Sequence, residues 1–321
     1  MEHLSNHNLL LTVKKIIPET RDVKRFILAP KNQPLPSFGA GAHITLHLPL
    51  EHSIVSRQYS IISNPLSFNH EYEIAVKKIS VEKGGSWYLH HKVKEGDTLL
   101  ASPPDNFFPL RFEARHHVLY AAGIGITPIL SMMAHLTSLN ASFELHYAAK
   151  SIETCPFYQM IKSDYGDKAT FYFMERTKKR ALLKESLKNQ PIGTHVYICG
   201  PESFIEDMKF FAREAGFKEQ NIHVERFRAH ILPELTRPFS VYLQKSKKMI
   251  EVPKNRSLLE VLRENEIPIP YSCKMGICGT CEVDVIDGNV LHFDSFLTDE
   301  EKKSKLLACV SRGVSQLTLD L

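Results

Sequence analysis

The chain has 321 residues, of which 43% are hydrophobic and 24% are charged, and its formal net charge is +4. This is a globular composition with enough apolar material for two or three domains, and the low net charge excludes a strongly basic nucleic-acid-binding protein. The start of the chain lacks the basic and apolar regions of a secretory signal, so we expect a cytoplasmic protein. The uncharged stretch from Val118 to Leu136 contains glycine and proline, which favours a strand, a turn and a buried helix over a membrane span.

Short β-rich runs separated by turn residues fill residues 1–112. Runs of this kind, in which apolar and polar residues alternate, predict a small antiparallel barrel. The predicted strands are Leu10–Ile17, Val23–Leu28, His43–Leu48, Gln58–Ile62, Tyr72–Ile79 and Thr98–Ala101.

The pattern changes in residues 113–228, where apolar strands alternate with helical segments. Such alternation predicts a parallel α/β sheet. The predicted strands are His117–Ala122, Phe143–Ala148, Ala169–Met174, Val196–Cys199 and Ile222–Glu225, with helices that include Pro128–Leu139 and Glu202–Ala215.

Residues 229–237 form a predicted linker to a third unit, residues 238–321. Two strands, Phe239–Leu243 and Met249–Val252, are predicted at its start. A helix over Leu258–Glu264 follows, because Ser257 and Glu260 have the spacing of a capping box.

Four of the six cysteines lie in the last fifth of the chain. Cys273, Cys278 and Cys281 have the spacing C-x4-C-x2-C, and Cys309 follows later. This arrangement is typical of a plant-type 2Fe-2S cluster, in which four thiolates converge on two irons. A structural zinc site is the alternative, but such sites usually pair two short knuckles, and Cys309 has no near neighbour.

The cluster loop also contains Gly276 and Gly279, which we expect at positions where a side chain would collide with the cluster. Backbone N–H groups of such a loop can donate hydrogen bonds to the sulfurs. Cys155 and Cys199 stand alone in the sequence, and Cys155 is interpreted as a small hydrophobic residue.

Two glycine-containing turns follow predicted strands of the α/β region. The first is Gly123-Ile-Gly125-Ile-Thr127-Pro128, which leads into a helix, and the second is Cys199-Gly200-Pro201. Glycines let the backbone approach a pyrophosphate, and ligands bind at the carboxyl edge of a parallel sheet. Together the two turns favour nucleotide binding, although a loop of the first kind can by itself be only a turn.

Two motifs of the predicted barrel are suited to a flavin. In Arg57-Gln58-Tyr59-Ser60, an arginine can bind phosphate, an aromatic ring can stack on a flat ring, and a serine can hydrogen-bond a ring nitrogen. Gly84-Gly85-Ser86 precedes a helical segment and is suited to a phosphate. The alternatives are an ordinary surface strand and a plain turn.

With these motifs in this order, the sequence resembles the phthalate dioxygenase reductase family, which includes the reductases of vanillate demethylase and carnitine monooxygenase. The resemblance spans essentially the whole chain. It implies an antiparallel flavin-binding β-barrel in residues 1–112, a Rossmann-like NAD-binding α/β domain in residues 113–228, and a C-terminal plant-type ferredoxin domain of β-grasp fold in residues 238–321.

The resemblance also implies the cofactors, namely FMN rather than FAD, a nicotinamide nucleotide and the 2Fe-2S cluster. The residues matching the FMN site are Arg57, Gln58, Tyr59, Ser60, Gly84, Gly85 and Ser86. Those matching the nucleotide site are Gly123, Gly125, Thr127, Cys199, Gly200 and Pro201. The cluster ligands are Cys273, Cys278, Cys281 and Cys309.

The resemblance also implies catalytic roles for three residues, which are Ser60, Cys199 and Phe227. Ser60 matches the residue beside the flavin nitrogen that receives hydride, and Phe227 matches an aromatic residue that packs near the flavin face. Phe227 can equally be a core residue at a seam between domains.

Cofactor choice between NADH and NADPH depends on the segment after the strand at residues 170–174. Glu175 there can bind the ribose hydroxyls, whereas Arg176 or Lys178 can meet a 2′-phosphate, and a solvated basic turn is the third interpretation. We expect NADH, with NADPH not excluded.

The resulting functional prediction is the reductase component of a Rieske-type oxygenase system. It is expected to be a monomer that transfers electrons from NADH through FMN and the 2Fe-2S cluster to the terminal oxygenase, with no membrane or nucleic-acid partner. The alternatives are a stand-alone NAD(P)H reductase for small acceptors and a non-enzymatic iron–sulfur redox module.

Overall fold

The computed structural model describes residues 8–50, 53–67, 71–79, 84–173, 180–227, 237–254, 256–271, 274–276, 278–294 and 296–321. The chain forms two compact units, Met1–Glu225 and Arg226–Leu321. No helix in the described ranges has the length and apolar character needed to cross a bilayer.

A six-stranded antiparallel sheet forms the first part of the first unit. Its elements are β1 (Leu9–Thr20), β2 (Val23–Pro30), β3 (His43–Leu50), β4 (Ser53–Ser60), β5 (Tyr72–Lys77), α1 (Gly85–His91) and β6 (Thr98–Ala101). The strand order is β4-β3-β6-β1-β2-β5. Because side chains alternate along a strand, Ile44, Leu46 and Leu48 of β3 all point into the barrel core, where they are fully buried.

Barrel closure occurs just beyond β4, where Ile61 forms a bridge with Ile74 of β5. The predicted barrel is therefore confirmed, although the bounds of five of its six strands differ from the predicted ones, those of β4 most of all. β4 begins at Ser53 rather than Gln58, because it pairs with β3 from Ser53 through Ser60.

The second sheet of this unit is parallel and has five strands. The elements are β7 (His116–Ala122), α2 (Ile126–Ser138), β8 (Phe143–Ala149), α3 (Tyr158–Tyr165), β9 (Ala169–Phe173), α4 (Arg180–Glu185), β10 (Thr194–Cys199), α5 (Glu202–Glu214) and β11 (Ile222–Glu225). The strand order is β11-β10-β7-β8-β9. The chain thus builds outward from β7 in one direction and then returns to build in the other, which confirms the predicted α/β fold.

The second unit is a small mixed sheet with one packed helix. Its elements are β12 (Phe239–Leu243), β13 (Lys248–Val252), α6 (Leu258–Glu264), β14 (Glu282–Asp287), β15 (Val290–Leu291), β16 (Lys305–Leu307), β17 (Arg312–Gly313) and β18 (Leu317–Leu319). The main sheet has the order β13-β12-β18-β14-β16, with β12 and β18 parallel, and β15 pairs with β17. This arrangement is the predicted β-grasp fold.

Helix α6 has the bounds that the sequence predicts, and its capping box is present. The Ser257 hydroxyl accepts a hydrogen bond from the Glu260 N–H at 3.2 Å, and Glu260 accepts one from the Ser257 N–H at 3.0 Å. Leu258 and Leu262 are fully buried on its inner face. The predicted domain boundaries stay predictions, since most of the predicted linker lies outside the described residues.

Candidate functional site

The topology predicts a ligand crevice at the carboxyl edge of the parallel sheet, between β7 and β10. These two strands are neighbours, with Ala121 opposite Cys199, but their connections lead to opposite sides of the sheet. Such a topological switch point is where ligands bind in open α/β sheets. Both predicted nucleotide turns begin at this point, one from each strand.

Glycine at position 125 allows the two turns to touch. A Cβ on Gly125 would collide with the carbonyl oxygen of Cys199 and would lie 2.7 Å from the Gly200 nitrogen. A Cβ on Gly200 would in turn lie 2.9 Å from the Cβ of Ala122. The absence of both side chains therefore determines how closely the backbones approach at the crevice.

Hydrogen bonds hold the first turn in place. Gly123 adopts a φ of +56°, which glycine accommodates readily, and its carbonyl accepts a hydrogen bond from the Tyr147 hydroxyl at 2.9 Å. The Thr127 hydroxyl donates to the Ile124 carbonyl at 3.0 Å. Thr127 thus stabilises the turn, and Pro201 immediately precedes α5 in the other one.

Cys199 ends β10 as a buried thiol. Burial, reinforced by the carboxyl group of Glu225, raises the pKa of Cys199 well above its ordinary value. The side chain is therefore a buried, neutral thiol at this edge of the sheet and is not poised as a nucleophile.

Glu225 is a residue at this edge to which the sequence analysis gives no role. It ends β11 directly opposite Cys199, it is buried, and its Oε2 has no hydrogen-bond partner in the described structure. Burial raises the pKa of Glu225 to about 8. The signal available in the sequence was an acidic residue at the carboxyl end of a strand that was predicted to be buried.

The two barrel motifs come together at the start of α1. A Cβ on Gly85 would lie 2.8 Å from Cγ of Arg57 and 3.0 Å from Leu48, so glycine lets the helix start pack against the arginine stem. The Ser86 hydroxyl accepts a hydrogen bond from the Ile79 N–H at 3.2 Å, and Gly84 is the residue that precedes the helix. The structure thus unites two motifs that are separated in sequence.

Tyr59 and Ser60 occupy opposite faces of β4. Tyr59 packs against the barrel core, and burial raises its pKa. Ser60 is buried on the outer face, opposite His43, and Gln58 on the same outer face has a buried Nε2 without a hydrogen-bond partner among the described residues.

Three of the four predicted cluster cysteines lie in the described part of the second unit, and Cys273 lies outside it. Cys309 is in hydrogen-bonding contact with Cys281 and lowers the pKa of that thiol. The Thr280 hydroxyl donates to Sγ of Cys278 at 3.2 Å. No three His, Cys, Asp or Glu side chains converge as a mononuclear metal site in the ranges that the structure describes.

The loop that carries these cysteines needs its two glycines for contacts within the protein itself. Gly276 and Gly279 both have a φ of +73°, and added Cβ atoms would meet Cγ2 of Val310 at 2.8 Å and the Phe296 ring, respectively. The collisions are thus with protein side chains. Tight wrapping, positive φ and paired thiols suit the donor set of a 2Fe-2S cluster.

Four other predicted residues remain without a defined role in the geometry. Phe227 belongs to the second unit and is 43% exposed. Glu175, Arg176 and Lys178 lie outside the described residues.

Comparisons with known proteins agree with this combination of folds. Residues 241–313 match the 2Fe-2S iron-sulfur cluster binding domain, and residues 98–222 match the N-terminal domain of the dimethylamine monooxygenase subunit DmmA-like family. The chain is 38% identical to the heme-dependent oxidative N-demethylase beta subunit of Ectopseudomonas mendocina over 96% of both chains. It is 36% identical to the carnitine monooxygenase reductase subunit of Acinetobacter pittii, over 93% of this chain and 98% of the relative.

A solved structure of phthalate dioxygenase reductase superposes with a TM-score of 0.80 at 33% identity, over 98% of both chains. The fold and the two glycine turns, together with the cysteine loop, define an oxidoreductase that uses a flavin, a nicotinamide nucleotide and a 2Fe-2S cluster. The chain belongs to the phthalate dioxygenase reductase family.

Proposed function

We propose that this protein is the reductase component of a Rieske-type oxygenase system. It transfers electrons from NADH through FMN and a 2Fe-2S cluster to a terminal oxygenase. The observation that best supports the proposal is the close approach of Gly125 to the Cys199–Gly200 backbone, which suits the binding of a nucleotide. The same chain also forms a β-grasp unit that contains the cysteines. The proposed domains are residues 1–112, 113–228 and 238–321, joined by a linker at 229–237.

The nicotinamide nucleotide binds in the crevice between β7 and β10. Its phosphates lie against the backbone of the two turns, which approach closely because Gly125 and Gly200 lack side chains. The residues proposed to bind it are Gly123, Gly125, Thr127, Cys199, Gly200 and Pro201. Cys199 contacts the nicotinamide as a neutral thiol that shapes the floor of the site.

FMN binds across β4 and the start of α1. Arg57 supports the phosphate at the Gly85 turn, Tyr59 lies beside the ring, and the Ser60 hydroxyl faces the ring nitrogen that receives hydride. Bound FMN converts a two-electron donor into a one-electron donor. The residues proposed to hold it are Arg57, Gln58, Tyr59, Ser60, Gly84, Gly85 and Ser86.

The cluster is held by Cys273, Cys278, Cys281 and Cys309. The contact of Cys281 with Cys309 supports the proposal that both thiolates would hold the same cluster. The Thr280 hydroxyl supplies a hydrogen bond to Cys278, and hydrogen bonds to cluster sulfurs tune reduction potential. Phe227 is the third residue proposed to be catalytic.

An anaerobic NADH titration of the purified chain, followed by absorbance and EPR, tests the route. Wild-type protein is expected to bleach a flavin and then to develop the signal of a reduced 2Fe-2S cluster. Cys278→Ser should lose that signal and keep flavin reduction, whereas Cys155→Ser, which changes a buried cysteine far from the cysteine motif in sequence, should keep both.

Two other results would redirect the assignment. A reconstituted chain that binds no flavin and oxidises neither NADH nor NADPH would indicate a non-enzymatic redox module. Equal turnover with a small soluble acceptor and with every oxygenase offered would indicate a stand-alone reductase.

A haem-containing acceptor is the second candidate partner, because one relative is the beta subunit of a heme-dependent oxidative N-demethylase. Stopped-flow mixing of the reduced chain with a Rieske-type oxygenase, and separately with a haem-dependent N-demethylase, discriminates between them. Fast reduction of the Rieske centre supports the first proposal, and fast reduction of the haem alone supports the second. Light scattering of the purified chain tests the proposed monomer.

A further inference from the structure

His43 and Ser60 form a cross-strand pair on the outer face of β3 and β4. They are directly opposite in register. The Ile61 N–H donates to the Ala42 carbonyl at 2.8 Å, and the His43 N–H points the other way, to Asp105 at 2.9 Å. His43 and Ser60 are therefore a non-hydrogen-bonded pair, the type in which side chains lie closest.

The imidazole of His43 is buried, but one of its ring nitrogens makes no hydrogen bond among the described residues. The residue is 4% exposed, and its Nε2 is buried without a hydrogen-bond partner among the described residues. Its ring lies 5.5 Å from that of Phe107. Burial lowers the pKa of His43, with Asp105 acting in the opposite direction, so the ring is neutral near pH 7 and one ring nitrogen can accept a hydrogen bond.

The same two strands contain a second histidine–serine pair that serves as an internal reference. His47 is opposite Ser56 on the same face. Its Nδ1 lies 3.0 Å from the Ser56 hydroxyl, and its Nε2 lies 2.9 Å from the Ser102 hydroxyl. This pairing geometry thus permits a histidine–serine hydrogen bond, which His43 and Ser60 do not make. Buried polar groups left in this state are usually satisfied by a ligand or by water.

We propose that His43 is a positioning residue of the flavin site. Its imidazole accepts a hydrogen bond from the Ser60 hydroxyl when the flavin ring nitrogen beside Ser60 carries a hydrogen. This inference rests on the proposed function, which puts a flavin nitrogen at Ser60. A serine hydroxyl has one hydrogen and two lone pairs. When the ring nitrogen carries no hydrogen, the Ser60 hydroxyl donates a hydrogen bond to it. When the ring nitrogen carries a hydrogen, the Ser60 oxygen accepts a hydrogen bond from that N–H, and the hydroxyl hydrogen must then be donated to another acceptor.

His43 provides the acceptor for that second arrangement. The hydroxyl rotates, no covalent bond is broken, and no proton leaves Ser60. Because the His43 contact exists only in one arrangement, it stabilises the reduced flavin relative to the oxidised flavin. His43 therefore raises the midpoint potential of the bound flavin, a property that simple packing against Phe107 does not predict.

Spectroelectrochemical titration of the holoprotein tests the inference, with flavin dissociation constants measured in both redox states. In His43→Phe, which keeps an aromatic ring beside Phe107, loss of one hydrogen bond should weaken reduced FMN binding about 3–10-fold while oxidised binding changes less than about twofold. The midpoint potential should fall accordingly. His43→Gln should restore it, and His47→Phe, on the same face, should leave it unchanged.

A cycle with Ser60→Ala tests the route through the hydroxyl. In the Ser60→Ala background, His43→Phe should produce no further shift in potential. Flavin content and circular dichroism establish folding, and His43→Leu takes the place of His43→Phe if the phenylalanine variant does not fold.

Three results overturn the inference while flavin binding persists. They are an unchanged potential in His43→Phe, equal weakening of both redox forms, and a full additional shift in the Ser60→Ala background. A wild-type chain that binds no flavin after reconstitution instead overturns the proposed function, so the two failures are distinguishable.

Discussion

The backbone of Cys199 occupies the space that a side chain at Gly125 would need. A Cβ there would also lie 2.7 Å from the Gly200 nitrogen, so the contact joins two turns that are far apart in sequence. The two turns form the crevice only because β7 and β10 are adjacent strands.

Gly125→Ala should therefore damage nucleotide binding selectively. The added methyl group must push the turns apart, at an expected cost of about 1–3 kcal/mol in folding free energy. We expect the KM for NADH to rise at least about tenfold, measured with ferricyanide as acceptor, while FMN content is retained. Gly216→Ala, at an open position with positive φ after α5, is the control for general loss of stability. Unchanged KM in Gly125→Ala would contradict the prediction.

Tyr147→Phe should loosen the first nucleotide turn without disturbing the sheet. The hydroxyl donates to the Gly123 carbonyl at 2.9 Å, and a hydrogen bond of this kind contributes about 0.5–1.5 kcal/mol. We expect the KM for NADH to rise about 3–10-fold with little change in the limiting rate of flavin reduction, measured by stopped-flow absorbance. Tyr158→Phe is a matched control on α3. If Tyr158→Phe raised the KM for NADH as much as Tyr147→Phe does, the change would not be due to loss of the hydrogen bond to Gly123.

Glu225→Gln should change how stability depends on pH. The folded carboxyl holds its proton up to a pKa of about 8, whereas the ordinary value is 4.5. Its contribution to stability is thus complete below about pH 4.5 and is lost as pH rises towards 8, at up to about 1.4 kcal/mol per pH unit.

Urea unfolding at several pH values between 5 and 8 checks this prediction. The variant should gain stability over wild type as pH rises, with the largest difference near pH 8. Glu185→Gln, which changes an exposed carboxyl group, should have the same pH dependence of unfolding free energy as wild type. Parallel curves for Glu225→Gln and wild type would show that burial does not hold the proton.

Gly279→Ala should impair cluster assembly. The position has a φ of +73°, and its Cβ would meet the Phe296 ring, with Cδ1 only 2.9 Å away. We expect at least about a twofold loss of iron and labile sulfide per chain, with FMN content unchanged. Adding Phe296→Ala should restore part of the loss by removing the collision, and the backbone strain should prevent full recovery. Full iron content in Gly279→Ala would mean that the loop adapts without strain.

The cysteine spacing and the order of the turn motifs determined much of this protein from the sequence alone. So did the capping box, which is a local feature whose partners, Ser257 and Glu260, are three residues apart. These signals depend on short-range chain geometry. Strand and helix patterns predicted the barrel and the α/β sheet, the capping box predicted the start of α6, and the family resemblance that the motifs carry implied the β-grasp unit. The bounds of β4 were predicted less well, because pairing with β3 decides where that strand begins.

Only the tertiary structure decided which of these residues face one another. The contact of Gly125 with Cys199, the burial of Glu225 beside that thiol, and the pairing of His43 with Ser60 all depend on strand order and register. Those are set by which apolar faces pack together across large sequence separations. The sequence suggested a collision with the cluster at Gly276 and Gly279, which stays a prediction, and only the folded chain shows that Val310 and Phe296 are also in the way of a side chain there.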